Sequence, residues 1–596
     1  MSIRNLHHAI DPKSVAIVGA SSRAGSLGRV VIENVIAAGF EGEIWPVHPK
    51  YDQVAGLRCY SRVPDIPGVP DLAIIVTPPS TVPALIHDLG MKGTRAAVVI
   101  TAGISADKGL RKAMLDAAKP FLLRIIGPNT VGLFVPSAKL NASFAHLQAR
   151  SGGIALLSQS GAIATSLIDW AAENNVGFSK IISLGDMADA DAGDFLDLLA
   201  GDPETKAIVM YLETIPNPRK FLSAARAAAR TKPVVAIKGG RHAEAAKAAA
   251  THTGALSGAD RVVDAALRRA GILRIEGLSE LFDATEVLAR FPPVERSRVA
   301  IVTNGGGVGV LAVDRLMDVG CELADLSSET IGTLDRILPA SWSRANPVDI
   351  IGDALPDRYK TAVEIIAQDP GVDILIVMNC PTGLASPVDA AHAVASLAQS
   401  GTISGKPVLT CWLGGRTARD GRHVLQQVGL ASYDTPSDVA LAASYLAKWS
   451  KAQQALARAS SGRDDDVPSN RDLARSVLQK VAAEGRRMLN EPEAKAVIAA
   501  YGIPVPQTVI ATSPKEAEAI AGSLLASARR VVVKLISKSI TRVGLPIEFA
   551  VFFSGWRKMC GCRHRHVHLE TAADRRACCF VAYPAAATIF KLRFML

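Results

Sequence analysis

Short apolar runs of about five residues recur along this chain, and most lead into a turn rich in glycine, proline or serine and then a helical pattern. Ser14-Val15-Ala16-Ile17-Val18 runs into Gly19-Ala20-Ser21-Ser22-Arg23-Ala24-Gly25-Ser26-Leu27-Gly28, then a helical repeat through Val30, Val31, Val35 and Ile36. Runs that are short and apolar at every position fit strands buried on both faces. The same plan recurs at Leu72-Ala73-Ile74-Ile75-Val76, Gly153-Ile154-Ala155-Leu156-Leu157, Ala207-Ile208-Val209-Met210-Tyr211-Leu212 and Arg298-Val299-Ala300-Ile301-Val302. Strands alternating with helices predict an α/β chain of parallel sheets covered on both faces.

Length and composition bound the rest. The 596 residues allow about four ordinary domains. With 49% hydrophobic and 20% charged residues the chain is core-forming and not disordered. No apolar run reaches the roughly 18 residues that span a bilayer, and residues 1–8 lack the apolar core of a secretory signal. A cytoplasmic location is the expectation, with no membrane partner. The net charge of +10 is uneven: from Thr541 onward nine Lys/Arg face three Asp/Glu. The body is therefore only mildly basic, which argues against a nucleic-acid partner. Of eight cysteines, Cys59, Cys321, Cys380 and Cys411 are isolated and read as inert thiols, whereas Cys560, Cys562, Cys578 and Cys579 crowd the end.

Several turns have the chemistry of anion sites. The first strand, its glycine-rich turn and its helix make a phosphate cradle through Gly19, Ser21, Ser22, Gly25 and Gly28. The spacing departs from GxGxxG and speaks against a nicotinamide cofactor. His48-Pro49-Lys50, Thr77-Pro78-Pro79 and Thr101-Ala102-Gly103 each follow a strand, where ligands bind in doubly wound sheets, although any one of them also fits a plain βα turn. Together they predict a Rossmann-like nucleotide-binding domain. Ser160-Gly161 and Asn304-Gly305-Gly306-Gly307 open two further helices whose N-termini suit phosphate, or simply allow close packing. His252 lies in Thr251-His252-Thr253-Gly254, after a helix-forming stretch. A neutral imidazole on a loop can accept a phosphoryl group; the plain alternative is a surface histidine. Lys534, inside the apolar run Arg530-Val531-Val532-Val533-Lys534-Leu535, needs an anion or an exit to solvent.

In combination these motifs resemble the ADP-forming acyl-CoA synthetases, relatives of succinyl-CoA synthetase, over roughly residues 8 to 540. The resemblance implies a Rossmann-like CoA-binding domain (1–123), a flavodoxin-like ligase domain (124–290), a second such domain (295–455), a linker (456–474) and a partial ATP-grasp domain (475–540). Gly19 to Gly28, Pro49, Lys50, Thr77, Pro78, Pro79 and Thr101 look like the family's CoA-binding loops, and Gly127-Pro128-Asn129 like its entry into the first ligase domain. Ser160, Gly161, Asn304, Gly305, Gly306 and Gly307 look like its phosphate-facing helix starts. Thr251-His252-Thr253-Gly254-Ala255-Leu256 is similar to its phosphohistidine loop, and Tyr211-Leu212-Glu213 to the strand end whose glutamate supports that histidine. His252 and Glu213 are then the catalytic candidates. The implied reaction joins a small carboxylic acid to CoA using ATP and Mg²⁺, releasing ADP; Lys534 would face the nucleotide.

After Ile540 the resemblance stops. Residues 541–596 form a Cys/His/Arg-rich tail, and the abrupt change in composition reads as a shifted or mis-terminated reading frame that cuts the ATP-grasp domain short. Cys560-Gly561-Cys562 with His564, His566 and His568 does not have a usual closed zinc spacing, so no metal site is assigned. A second reading is a CoA or acyl-CoA binding protein or sensor without catalysis. A protein acyltransferase ranks last, because no acetyltransferase pattern is present. Homo-oligomerisation is compatible with either of the first two.

Overall fold

The computed structural model describes residues 3–173, 176–242, 244–245, 260–403, 405–457, 470–486, 488–526, 530–536 and 577–583. The chain divides into two compact units, Met1–Arg458 and Ala459–Leu596.

Three sheets of one design build the first unit. The first has the spatial order Glu43–Val47, Ser14–Val18, Leu72–Ile75, Ala96–Val99, Arg124–Ile126, all parallel. The second centres on Ser151–Ser158, flanked by Phe178–Ser183 on one side and by Ala207–Leu212, Val234–Lys238 and Leu273–Ile275 on the other. A hairpin, Gly132–Val135 with Leu140–Ser143, adds two antiparallel strands at its edge. The third runs Glu322–Leu323, Arg298–Thr303, Ile374–Asn379, Val408–Trp412, Ala431–Tyr433, with Val348–Asp349 completing the first edge. With the two-residue strand Val348–Asp349 set aside, chain order among the parallel strands of every sheet maps to the spatial order 2-1-3-4-5. That order creates a crevice between strands 1 and 3, where the connections turn to opposite sides.

The apolar runs form these strands because alternate residues enter different cores. Val15 and Ile17 pack on one side of the first sheet, Ala16 and Val18 on the other. Val299 and Ile301 are divided in the same way from Ala300 and Val302. One core is shared by the first and second sheets and another by the second and third, which ties the first unit together. The long helix Pro436–Ala457 belongs to this packing: its Leu456 occupies the space a Cβ on Gly271 would need, at 2.2 Å.

The structure departs from the sequence reading at the first boundary. Arg124–Ile126, taken as the start of a second domain, pairs in parallel with Ala96–Val98 as the last strand of the first sheet. Ile125 and Ile126 are fully buried there, so their burial against the first sheet outweighs the Gly-Pro break that follows.

In the second unit, helix Glu491–Ala499 starts with a capping box between Asn490 and Glu493, as Asn-Glu-Pro-Glu dictates. Gln507–Ala511 and Arg530–Ile536 flank a third strand, Ala577–Tyr583, antiparallel to both. That strand comes from the tail, where the sequence analysis assigned none; its Cys-Cys-Phe-Val run is rich in strand-forming types.

Candidate functional site

The first sheet gathers its predicted loops at one edge, the carboxyl ends of adjacent strands. Gly19 has φ +95, and its N–H donates to the Val47 carbonyl at 2.9 Å. Gly28 opens the following helix so close to this turn that a Cβ there would lie 2.0 Å from the Gly19 carbonyl oxygen. Any side chain would push the helix N-terminus out of the cradle. Gly25 has φ +70. The buried Ser21 hydroxyl accepts the Arg23 N–H at 3.1 Å, and Ser22 Oγ donates to the Gln53 carbonyl at 3.3 Å. In the next loop His48 Nδ1 accepts the Lys50 N–H across Pro49. Partial burial and the Lys50 charge lower the His48 pKa. Across the crevice, Thr101 Oγ1 donates to the Thr77 carbonyl at 2.7 Å, and Pro79 starts a short 3₁₀ turn after Pro78.

Asn129 joins this edge to the second sheet. Its backbone N–H donates to the Thr101 carbonyl at 3.0 Å, and its side chain donates to Asp186 Oδ1 at 3.1 Å.

At the crevice of the second sheet, Gln159 and Glu213 leave adjacent strands. Gln159 Oε1 accepts two backbone N–H groups, from Glu213 at 2.5 Å and Thr214 at 2.9 Å, while its Nε2 donates to Thr214 Oγ1 at 3.0 Å. Tyr211, two residues earlier on the same strand face, donates its hydroxyl to Glu213 Oε1 at 3.3 Å. Burial, then the Glu213 charge, pushes the phenol up to about 12, so it stays a neutral donor. Gly239 gives the phenol its seat, since a Cβ there would come within 2.7 Å of the hydroxyl. Ser160 precedes helix Gly161–Glu173; its Oγ accepts the Ile163 N–H at 3.4 Å. The amides of Gly161 and Ala162 make no hydrogen bond among the described residues and are free for an anion.

Glu213, Gln159 and Asn129 line a cavity of about 650 Å³. Ile215, Phe221 and Leu222 supply apolar wall, and the buried Lys238 adds a cation. Burial lowers the Lys238 pKa, and its Nζ donates to the Gly239 carbonyl. Three wall residues hold left-handed backbone: Asn129 (φ +59), Gly185 (φ +57) and Met187 (φ +48). Strained backbone of this kind concentrates at binding sites.

The third sheet uses its crevice differently. Asn304 is buried, and its amide clamps the opposite strand end, accepting the Cys380 N–H at 2.7 Å and donating to the Cys380 carbonyl at 2.9 Å. Gly305 has room only for hydrogen beside Cys380 Sγ. Gly306 opens helix Gly306–Asp318 beside Asp349, whose Oδ2 would lie 2.8 Å from a Cβ there, and Gly307 faces open space. The amides of Gly306 and Gly307 make no hydrogen bond among the described residues, but a carboxylate already stands at this turn.

His252 and the Lys534 side chain lie outside the described residues. Among the described residues no group of three or more His, Cys, Asp or Glu is placed to hold a metal ion, and no helix is long and apolar enough to cross a membrane. Sequence reasoning missed Asp186 and Lys238, and it placed Gln159 and Tyr211 in motifs without giving either a role. Tyr211 carried a usable signal, because residues two apart share a strand face; the partners of Gln159 and Asp186 are distant in sequence.

Family profiles match along the chain: a CoA binding domain over residues 13–136, a succinyl-CoA ligase like flavodoxin domain over 151–288, a Ligase-CoA domain over 299–457 and an ATP-grasp domain over 480–543. The chain is 35% identical over 533 residues to acetate–CoA ligase [ADP-forming] I of Archaeoglobus fulgidus, covering 89% of this chain and 75% of that protein. It is 31% identical over 516 residues to 4-hydroxybutyrate–CoA ligase [ADP-forming] of Nitrosopumilus maritimus, covering 85% and 73%. Among solved structures, the dinucleotide forming acetyl-coenzyme A synthetase 1 of Candidatus Korarchaeum cryptofilum, in complex with phosphate and ADP, matches with a TM-score of 0.72 and 34% identity, over 76% of this chain and 98% of that one.

Proposed function

The chain belongs to the ADP-forming acyl-CoA ligase family, and from that premise we propose that it joins a small carboxylic acid to CoA with ATP, through an acyl phosphate and a phosphohistidine at His252. The observation that carries this reading is the latch of Gln159 onto Glu213 in the lining of the 650 Å³ cavity, beside a helix N-terminus. A carboxylate held by its own backbone and by Tyr211 is suited to receive an imidazole N–H. It fixes one tautomer and steadies the positive charge that grows on the ring as the other nitrogen takes phosphate.

The reaction balances without an outside oxidant. An imidazole nitrogen of His252 attacks the terminal phosphorus of ATP, and ADP leaves. The acid's carboxylate oxygen attacks the phosphohistidine, forming an acyl phosphate and returning a neutral imidazole. The CoA thiol then attacks the acyl carbon, losing its proton as inorganic phosphate leaves. The free amides at Gly161 and Ala162 stabilise phosphate charge at the helix N-terminus, and Lys238 adds positive potential. Gly306 and Gly307 offer a second such turn, tempered by Asp349. CoA lies along the first-sheet edge, over Gly19, Ser21, Ser22, Gly25, Gly28, Pro49, Lys50, Thr77, Pro78, Pro79 and Thr101, with Asn129 at its inner end. By the family resemblance Lys534 would meet the nucleotide's phosphates, whose charge Mg²⁺ would neutralise.

The ATP-grasp profile matches only residues 480–543, and this favours a second reading, a CoA-binding protein that is not loaded by its own ATP site. One experiment separates the two. The chain is incubated with γ-labelled MgATP, and separately with acyl-CoA and labelled inorganic phosphate. Acid-labile label on His252 from ATP, absent in His252→Ala and reduced in Glu213→Gln, supports the ligase. Label only from acyl-CoA and phosphate places the defect in the ATP-grasp region. No label from either side, with CoA still bound, leaves the second reading.

A further inference from the structure

Asp186 and Asn129 both line the 650 Å³ cavity, where the loop after strand Phe178–Ser183 crosses the chain leaving the first sheet. That loop is already fastened by its backbone. The Asp186 and Ala188 N–H groups donate to the Pro128 and Gly127 carbonyls, each at 2.9 Å. Gly185 (φ +57) lets the two chains touch, since a Cβ there would lie 2.2 Å from the Pro128 oxygen. Asn129 is fastened as well: its backbone N–H donates to the Thr101 carbonyl, and Thr101 Oγ1 in turn donates to the Thr77 carbonyl. The side-chain bond from Asn129 Nδ2 to Asp186 Oδ1 is therefore not needed to join the two sheets.

Its consequence is orientation. A carboxylate only accepts, so the Asn129 amide must turn its nitrogen to Asp186 and its oxygen the other way. A bond to a charged acceptor is stronger than a neutral one, and here it orders an exposed side chain at the cost of rotamer freedom. Asn129 Oδ1 takes no hydrogen bond among the described residues and is left as a fixed acceptor on the cavity wall. We infer that Asp186 is a positioning residue, which sets the Asn129 amide so that Oδ1 receives a hydrogen-bond donor from CoA. The inference rests on the ligase reading above for the nature of that ligand. The reacting end of CoA belongs in the cavity that Glu213 shares, so the donor is an amide N–H of the pantetheine arm or the thiol S–H.

Calorimetric titration of the full chain reads this without turnover. Wild type, Asp186→Ala, Asp186→Asn, Asn129→Ala and the double alanine variant are titrated with CoA, desulfo-CoA and adenosine 3′,5′-bisphosphate, which lacks the arm. Circular dichroism checks the fold. Asp186→Ala should bind CoA about three- to tenfold more weakly, the range of one neutral hydrogen bond, and should bind the bisphosphate as wild type does. Asp186→Asn keeps the shape and a neutral acceptor, so it should lie between the two; it carries the test where the alanine variant does not fold. The double variant should be no weaker than Asn129→Ala, because Asp186 acts only through that amide. Equal loss for desulfo-CoA assigns the contact to an arm amide, and loss for CoA alone assigns it to the thiol. If the Asp186 variants bind CoA as wild type does, weaken CoA and the bisphosphate alike, or add their loss to that of Asn129→Ala, the positioning role is overturned and the ligase reading stands. If wild type binds neither CoA nor desulfo-CoA, both fall.

Discussion

The side-chain oxygen of Gln159 receives the backbone N–H groups of both Glu213 and Thr214, at 2.5 and 2.9 Å. Each of the three sheets has a comparable junction between its first and third strands. Gly19 comes close to Thr77 in the first, Gln159 latches Glu213 in the second, and Asn304 clamps Cys380 in the third. Only in the second does the junction leave a carboxylate facing the cavity. Replacing Gln159 by leucine strands two amides, which costs about 1–3 kcal/mol each where no water reaches them. Gln159→Leu should lower the unfolding midpoint and abolish labelling of His252. Gln159→Glu, which keeps the acceptor, should recover most of the stability but little of the labelling, because a second negative charge then faces Glu213.

Tyr211 steadies the same carboxylate. Its hydroxyl is held neutral, with its pKa pushed up to about 12 by burial and by Glu213. Tyr211→Phe removes one hydrogen bond worth about 0.5–1.5 kcal/mol, so single-turnover phosphorylation should slow a few-fold, less than in Glu213→Gln. The shape of its pH profile below about pH 9 should be that of wild type, since the phenol does not titrate there. A shifted profile would mean that Tyr211 exchanges a proton in the reaction.

How much of this was legible follows from the range of each interaction. The strands could be read because burial on both faces demands an unbroken apolar run, as in Ala96–Val99. Gly19 and Gly28 could be read because a tight turn and a close helix approach leave no room for other residues. The assignment of Arg124–Ile126 to the first sheet could not, since a local Gly-Pro break says nothing about which sheet offers a free edge. The role of Gln159 was equally hidden: its partners lie more than fifty residues away, and glutamine in a loop has no prior of its own. Asn304 was expected to face phosphate through its glycine-rich turn, yet its amide is engaged by Cys380. A motif marks the turn, but only tertiary pairing decides which atoms remain free.

Asp283 should make stability depend on pH near neutrality. Burial is the main cause that raises its pKa from 3.8 to about 7, followed by the charges of Asp438, Glu286, Glu280 and Asp434. Arg290 is engaged with Glu286 and Tyr445 with Glu280, so neither neutralises Asp283 directly. A carboxyl whose folded pKa is raised favours the folded state while protonated. That stability is complete below about pH 4 and is lost as the pH rises through about 7. Asp283→Asn should match wild type in denaturant midpoint at low pH and exceed it at pH 8. Equal midpoints at both pH values would show that the charge is relieved by another route.

Asn304 allows a stricter test of the third junction, because its two roles respond differently to one substitution. In Asn304→Asp the acceptor for the Cys380 N–H remains, but the donor that faced the Cys380 carbonyl becomes a second acceptor, and two oxygens then meet in a buried site. A protonated aspartic acid can restore the donor, so its pKa should rise on folding. By the same linkage as for Asp283, the variant should approach wild type at low pH and fall below it as the pH rises through the raised value. Asn304→Ala removes both bonds whatever the pH and should sit below wild type by a constant amount, about 1–3 kcal/mol. CoA affinity should be unchanged in both, because the first-sheet edge shares no residue with this clamp. If either variant loses CoA binding along with stability, the clamp is coupled to the first sheet through the shared cores and is not a local latch.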